Sequence, residues 1–271
     1  MLEIVVPGAN ASAARLVLFD FDGTLSLIRS GWMDVMVPMM TEILLDLHTG
    51  ESEPELKTLV EDYVWRLTGQ ETIYQMIELA RQVELRGGSP LHPLVYKRMY
   101  LDRLWDRIRS RVKSLEDGSA PSDDYLVPGS RPLLEALRAR GLRMYLASGT
   151  DEEYMKREAG LLDVTRYFDG GVFGAIDDYE KFSKGILVRR ILASAEFMGP
   201  QFLGFGDGYV EIEEVKKVGG VAVGVATAEP ECRSVDEWKR RRLIGVGADL
   251  IAPNYVEFEP LMSALFPNGR S

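Results

Sequence analysis

Short apolar segments that stop at polar clusters constrain the fold of this 271-residue chain more than any other feature. Segments of this length, rich in β-branched and aromatic residues, predict buried strands. The five candidates are residues 15–19, 142–147, 201–205, 221–225 and 248–251. The first three end at Asp20, at Ser148 and at Gly206, which precedes Asp207. Because ligands bind beyond the carboxyl ends of strands in open α/β sheets, these polar clusters are expected to meet in one crevice.

Helical patterns lie between the later strands. Apolar residues recur at helical spacing in residues 129–140, 184–197 and 209–218. Strands that alternate with helices favour a parallel sheet that is covered by helices on both faces. The predicted fold class is therefore α/β.

A different pattern occupies the chain between the first strand and Tyr125. Four amphipathic helices with turn signals at their joints are predicted there, at residues 31–48, 53–67, 71–86 and 94–113. A polar linker, residues 116–122, then returns to the α/β pattern. We therefore expect an all-α domain, residues 28–124, inserted into a core formed by residues 1–27 and 125–271.

Charge and composition exclude several classes of protein. The net charge of −10 argues against nucleic acid as a partner, because no global positive field would attract phosphate backbones. No segment approaches the roughly 18–20 apolar residues of a membrane span, and the N-terminus lacks the pattern of a signal peptide. The single cysteine, Cys232, cannot form an internal disulfide and has no catalytic context, which fits a cytoplasmic protein.

Two carboxylates follow the first strand in the sequence Asp20-Phe21-Asp22-Gly23-Thr24. A turn at Gly23 would bring both to one site, whereas an extended chain would point them apart. One carboxylate can attack a phosphoryl group and form an aspartyl phosphate. The second can protonate the leaving oxygen and then activate water. A solvated acidic loop is the alternative interpretation of this pair alone.

A second acidic pair, Asp207 and Glu211, follows the strand at 201–205. Their spacing of four residues places both on one face if a helix begins there. Magnesium prefers hard oxygen ligands and would offset the repulsion between an anionic nucleophile and a phosphate. Asp20, Asp207 and a backbone carbonyl therefore predict a magnesium site. Two acids at the start of a helix, where negative charge is favourable, are the alternative.

Ser148, Gly149 and Thr150 lie at a strand end just before a predicted helix. A hydroxyl and free backbone N–H groups at this position can hold phosphate oxygens. An ordinary capping turn contains the same residue types, because Ser and Thr are preferred helix caps.

Lys184 begins the predicted helix at 184–197. A lysine at a helix N-terminus opposes the helix dipole, so its placement is locally unfavourable. This conflict indicates a functional role, such as pairing with Asp20 and the phosphate. Lys181 is a rival for the same role, and a solvated surface lysine is the alternative for either.

Taken together, these residues resemble the motifs of the haloacid dehalogenase-like hydrolase superfamily. Its four motifs are matched in order by Asp20 to Thr24, by Ser148, by Lys184, and by Gly206-Asp207 followed by Glu211. The resemblance covers the whole predicted core, and the first motif is its most specific part. Relatives more often have aspartate where this chain has Glu211, so a metal role of Glu211 is expected to run through water.

The resemblance implies a Rossmann-like core and a magnesium-dependent phosphatase reaction on a small phosphorylated metabolite. It implies that Asp20 is the nucleophile and Asp22 the general acid and base. Mg²⁺ would be held by Asp20, the Asp22 carbonyl and Asp207. Ser148 would bind phosphoryl oxygens and Lys184 would stabilise the charge of nucleophile and phosphate. The insertion would be a helical cap that closes over the substrate.

Three further residues, Thr24, Gly149 and Arg29, are predicted to bind substrate. Arg29 is expected to contact an anionic part of it, with a surface arginine as the alternative. Relatives with this cap include phosphoglycolate phosphatase and β-phosphoglucomutase, so the resemblance implies a substrate of the phosphoglycolate or sugar phosphate class and does not choose between them. A sugar-phosphate mutase and a non-catalytic binding domain remain alternatives. A dehalogenase is disfavoured, because those relatives lack an aspartate at the position of Asp22. The sequence does not indicate an oligomeric state.

Overall fold

A mixed sheet of seven strands forms the centre of the described chain, in the order β1-β7-β6-β5-β2-β3-β4. The computed structural model describes residues 1–176, 185–187, 190 and 199–267. The strands are β1 Glu3–Ile4, β2 Leu16–Phe19, β3 Arg143–Asp151, β4 Gly171–Ala175, β5 Phe202–Gly206, β6 Val221–Val225 and β7 Leu250–Ala252. Among the strands in the described ranges, only the short edge strand β1 is antiparallel to its neighbour, and the other five pairings are parallel. The predicted α/β class is confirmed, with an antiparallel edge added.

The longer helices are α1 Met33–Leu45, α2 Glu53–Leu67, α3 Thr72–Leu85, α4 Pro93–Glu116, α5 Ser130–Ala139, α6 Glu152–Leu161, α7 Tyr209–Lys217, α8 Glu237–Gly245 and α9 Phe258–Leu265. The first four follow one another between β2 and β3, which confirms an inserted all-α region. The helix predicted at 184–197 lies mostly outside the described residues. Within the described ranges, no helix combines the length and apolar character needed to cross a bilayer.

Both faces of the sheet are buried, as a parallel sheet requires. Val17 and Phe19 of β2 pack into one apolar cluster, and Leu16 and Leu18 pack into another on the opposite face. This alternation follows from the two-residue period of a strand. It explains why β2 is an unbroken apolar segment rather than an amphipathic one.

The first of these clusters continues from the sheet into the inserted helices. Met36, Val60, Leu79 and Tyr96, from α1 to α4 in turn, all belong to it. The insertion is therefore packed on the core and not held by its connections alone. Its helices carry their own start signals: the Ser52 backbone N–H and hydroxyl both donate to Glu55 at the start of α2, at 2.8 and 2.7 Å.

Arg111 on α4 fixes the segment by which the chain leaves the core. Its guanidinium donates to the carbonyls of Ile28 and Ser30 at 2.7 and 2.9 Å. This contact holds residues 28–30 beside the last helix of the insertion.

Candidate active site

The carboxyl ends of β5, β2 and β3, which lie side by side, carry the predicted site residues. The register places Phe19 beside Phe205, and the backbone N–H of the next residue, Asp20, donates to the Phe205 carbonyl at 2.9 Å. Asp207 follows β5, and Ser148 lies in the last part of β3. Parallel pairing therefore brings these three residues to one edge of the sheet.

The turn after Asp20 depends on Gly23. This residue has φ of +71°, a left-handed conformation that glycine adopts without strain, and its N–H donates to the Ser26 carbonyl at 2.9 Å. A Cβ atom at this position would lie 2.3 Å from Oδ2 of Asp207. The glycine thus both permits the turn and lets Asp207 approach the backbone next to Asp22.

Asp22 is oriented by two hydroxyls from the end of β3. Ser148 and Thr150 donate to its Oδ2 at 3.1 and 2.9 Å. Its Oδ1 is buried and accepts no hydrogen bond within the described part of the chain. One oxygen is therefore fixed by the protein, while the other is left for a proton or a ligand.

Thr24 lies beneath the cavity and not in its lining. The side chain is fully buried, and its hydroxyl accepts from the backbone N–H of Asp207 at 2.9 Å. Tyr255 donates its hydroxyl to the Thr24 carbonyl, also at 2.9 Å. Thr24 therefore connects the first motif to Asp207, and its predicted contact with substrate stays a prediction.

Lys239, near the start of α8, is a site residue that the sequence did not reveal. Its ammonium donates to Asp207 Oδ2 at 2.9 Å and to Glu229 Oε1 at 3.0 Å. Burial alone would lower the pKa of Lys239, but the two carboxylates raise it overall. Asp236 caps this helix with hydrogen bonds to two backbone N–H groups, a recognisable signal, but no pattern connects α8 to the catalytic edge.

Of the remaining predicted metal and charge residues, the structure describes only Glu211. Glu211 on α7 is fully buried against the turn at Gly206 and Gly208, and it does not line the cavity. Lys184 and its rival Lys181 lie outside the described residues, so their role stays a prediction.

Arg29 lines the cavity, but a carboxylate already matches its charge. Glu158 on α6 accepts hydrogen bonds from Nε at 3.0 and 3.2 Å and from Nη2 at 2.7 Å. Burial raises the pKa of Glu158, and the guanidinium offsets this rise only in part. The Tyr154 ring lies under the guanidinium, with 5.7 Å between Cζ and the ring centroid. The predicted contact of Arg29 with an anion would therefore have to compete with Glu158.

The loop between α2 and α3 closes the cavity from the helical side. A Cβ at Gly149 would lie 3.0 Å from the Gln70 carbonyl, and one at Gly208 would lie 2.8 Å from Cα of Gly69. Gln70 also donates its side-chain amide to the hydroxyl of Tyr209. Gly149, predicted to bind substrate, thus lines the cavity and also lets this loop approach.

Arg242 on α8 adds a further contact between the core and the inserted helices. It donates to the carbonyls of Trp65 and Arg66 at the C-terminus of α2, where a positive charge is favourable. The rings of Trp65 and Trp238 pack with their centroids 4.3 Å apart. The inserted helices and the core therefore meet around the cavity through specific contacts.

The resulting cavity has a volume of about 110 Å³. Its lining consists of Asp20, Asp22, Gly23, Ser26, Arg29, Ser30, Trp32, Met36, Thr68, Gly69, Gln70, Thr72, Gln75, Tyr100, Ser148, Gly149, Thr150, Asp207 and Glu229. Four of these described residues are carboxylates and one is a guanidinium. The lining is therefore strongly acidic at the edge of the sheet.

This donor set fits a hard divalent cation. Carboxylate oxygens are ligands that Mg²⁺ prefers, and Asp20 and Asp207 supply them from neighbouring strands. In the part of the chain that the structure describes, no three Asp, Glu, His or Cys side chains converge closely enough to hold a metal by themselves. A cation at this edge would therefore need a backbone carbonyl, such as that of Asp22, and water as further ligands.

Comparison with known proteins agrees with this geometry. A family model described as hydrolase, haloacid dehalogenase-like hydrolase, matches residues 14–219. No curated protein matches the chain.

Several solved structures share the fold. One is a predicted phosphoglycolate phosphatase from Haemophilus somnus 129pt, with 13% identity, a TM-score of 0.58, and coverage of 92% of this chain and 98% of that chain. A haloacid dehalogenase-like family protein from Streptococcus pneumoniae has 16% identity, a TM-score of 0.60 and coverage of 93% and 99%. A β-phosphoglucomutase from Clostridium difficile has 15% identity, a TM-score of 0.58 and coverage of 93% and 96%. At such identities, these likenesses establish the fold.

Proposed function

The chain belongs to the haloacid dehalogenase-like hydrolase family, and from this premise we propose that it is a magnesium-dependent phosphomonoester hydrolase. The observation that carries the proposal is the arrangement of Asp20, Asp22 and Asp207. They line one cavity beside the Ser148 hydroxyl, although they come from separate parts of the sequence. The substrate is a small phosphorylated metabolite of the phosphoglycolate or sugar phosphate class.

Asp20 acts as the nucleophile in this proposal. The residue is only 4% exposed, and its backbone is held to β5, so the carboxylate has little freedom to move. An oxygen of Asp20 attacks phosphorus, the bond to the leaving oxygen breaks, and an aspartyl phosphate forms. Preorganisation of this kind lowers the barrier because the reacting atoms are already placed.

Asp22 acts as the general acid and then as the general base. Its free Oδ1 carries the proton that the leaving oxygen takes, while Ser148 and Thr150 hold Oδ2 in place. The resulting carboxylate next takes a proton from the water that attacks the aspartyl phosphate. Binding of a phosphoryl oxygen by Ser148 requires its hydrogen bond to Asp22 to be exchanged.

Asp20, the Asp22 carbonyl and Asp207 would hold Mg²⁺, with Glu211 contributing at most through water. The ion would supply positive charge beside the phosphate at an edge that is otherwise acidic. Lys239 keeps one oxygen of Asp207 engaged at 2.9 Å and so fixes the direction of this carboxylate. Lys184 is proposed to neutralise charge on the nucleophile and phosphate.

Residues 28–124 act as the cap in this proposal. The contact of the 68–71 loop with Gly149 and Gly208 supports it, because this loop covers the reacting edge. Opening would admit substrate, and closure would exclude water from the first step.

Phosphate release from a panel of monoesters tests the proposal. The panel contains phosphoglycolate, sugar phosphates, nucleotides and an aryl phosphate, each assayed with Mg²⁺ and with chelator. We expect release that needs the metal and that falls at least about 1,000-fold in Asp20→Asn. Asp62→Asn, at an exposed position on α2, is the matched control and should retain activity.

Three outcomes would contradict the proposal. Full activity of Asp20→Asn would remove the assignment of the nucleophile. Interconversion of sugar phosphate isomers without net phosphate release would favour a mutase on the same scaffold. No turnover of any kind would favour a binding domain.

A further inference from the structure

The cavity is acidic at the edge of the sheet and mostly uncharged on the side of the inserted helices. This difference in charge limits which leaving groups the cavity can accept. The phosphoryl group would bind at the edge of the sheet, beside Asp20, Asp22 and Asp207. The rest of the substrate would then face side chains from the inserted helices and the α2–α3 loop. Those side chains are mostly hydroxyl, amide and aromatic groups, among them Ser30, Trp32, Gln70, Thr72, Gln75 and Tyr100.

Arg29 is the only cation in this lining within the described part of the chain. Its charge is matched by Glu158, and the two side chains are 9% and 5% exposed. A carboxylate of the substrate would have to displace Glu158 or lie beside it. Either arrangement is unfavourable, because the first leaves a buried carboxylate without its partner and the second brings two negative charges together.

What remains available on this side suits neutral hydroxyl groups. Nη1 of Arg29 makes no hydrogen bond to the described residues, and neither do the side chains of Gln75 and Tyr100, although both are buried and line the cavity. An amide and a phenol each offer a donor and an acceptor, and the guanidinium adds a donor. A hydroxyl needs both kinds of partner, whereas a carboxylate only accepts.

We propose that the leaving group is a neutral, hydroxyl-bearing alcohol of the polyol or sugar class, and that the Arg29–Glu158 pair excludes carboxylates such as that of phosphoglycolate. This inference rests on the proposed phosphatase function and narrows its substrate class. Arg29 then binds a substrate hydroxyl through Nη1, and Glu158 sets the specificity by cancelling the charge behind it.

A matched pair of substrates tests the inference directly. 2-Phosphoglycolate and 2-hydroxyethyl phosphate have the same chain length, and differ in having a carboxylate or a hydroxymethyl group at the end. With Mg²⁺ and the full chain, we expect kcat/KM to be at least about tenfold higher for 2-hydroxyethyl phosphate. Equal or faster hydrolysis of 2-phosphoglycolate would overturn the inference while leaving the phosphatase function intact. Failure to hydrolyse any monoester would instead refute the proposed function.

Glu158→Gln provides the second arm. It keeps the shape of the side chain but removes the charge that cancels Arg29, so the ratio of kcat/KM should shift by about tenfold towards 2-phosphoglycolate. The neutral double variant Arg29→Gln/Glu158→Gln should show no such shift. An unchanged ratio in a folded Glu158→Gln variant would show that the pair does not set specificity. Circular dichroism shows whether the variant is folded. If it is not, the ratio of kcat/KM for the two substrates in the wild-type protein decides the inference.

Discussion

The cavity is enclosed on one side by the edge of the sheet and on the other by the wall, the lining residues of the inserted helices and the α2–α3 loop. The two sides are built in different ways. Asp20, Asp22 and Asp207 at the edge come from strand ends, where short sequence motifs carry the chemistry. The wall residues Gln75 and Tyr100 come from separate helices and are recognisable only once the chain has folded. Under the proposed function, the edge sets the type of reaction and the wall sets the choice of substrate.

Loss of the general acid at the edge should have the largest effect. Asp22→Asn should lower turnover of alkyl phosphates by about 100- to 10,000-fold, because the leaving oxygen then takes no proton from the protein. Release of a nitrophenolate, which leaves without a proton, should stay fast in the first turnover. Rapid-mixing measurements with both substrates check this. Unimpaired turnover of alkyl phosphates by Asp22→Asn would contradict the assignment of the reaction to the edge.

Lys239→Met should have the next largest effect, a fall in kcat of about 10- to 100-fold, because Asp207 would lose the partner that orients it. The variant should also bind Mg²⁺ more weakly or in a different geometry, which titration calorimetry measures. Lys216→Met is the matched control, since Lys216 pairs at 2.8 Å with Asp249, a carboxylate that does not line the cavity. Equal losses of kcat in the two folded variants would show that Lys239 matters only for stability.

A wall variant should have a smaller and more selective effect. Tyr100→Phe removes one hydroxyl and should raise KM for polyol or sugar phosphates by about 2- to 10-fold, the range expected for one neutral hydrogen bond. The value of kcat should change little, and an aryl phosphate should be unaffected. A large loss of kcat with every substrate would show that Tyr100 takes part in the chemical step and does not only bind the substrate.

The smallest effect is expected at Cys232, on the segment that leads from Glu229 to α8. Burial raises the pKa of its thiol to about 11 from an ordinary 9.0, so little thiolate forms near neutral pH. Alkylation of the folded protein should be slow, should accelerate as pH rises towards 11, and should leave activity unchanged at neutral pH. Mass spectrometry of native and unfolded samples measures this. Rapid alkylation at pH 7 would indicate that the segment carrying Glu229 is open.

The strength of local patterns explains which elements could be predicted. The predicted helix at 53–67 agrees with α2, because its apolar residues keep a regular helical spacing between a capping signal and a turn. The edge residues were recognisable for a similar reason: β2 and β5 are short segments without a polar side chain, and Asp20 and Asp207 follow directly after them. Parallel pairing then brings these aspartates together.

The elements that were missed lack such patterns. The sequence Gly171 to Ala175 forms β4, but its glycines leave Val172 and Phe173 as its only large apolar residues, which is too short a pattern to indicate a strand. Helix α8 is highly charged, and Leu243 is its only buried apolar residue, so the sequence has no amphipathic pattern that predicts this helix. Lys239 and Glu158 were missed because their partners are distant in sequence and tertiary packing alone brings them close.

The most direct test of the central claim is to identify the phosphorylated residue. Asp22→Asn, mixed with an aryl phosphate and Mg²⁺, should accumulate the intermediate, because its hydrolysis needs the missing base. Acid quenching and borohydride reduction convert an aspartyl phosphate to homoserine, which peptide mass spectrometry locates in the sequence. The account predicts homoserine at position 20. Homoserine at another aspartate, or a burst of nitrophenolate with position 20 unmodified, would contradict it.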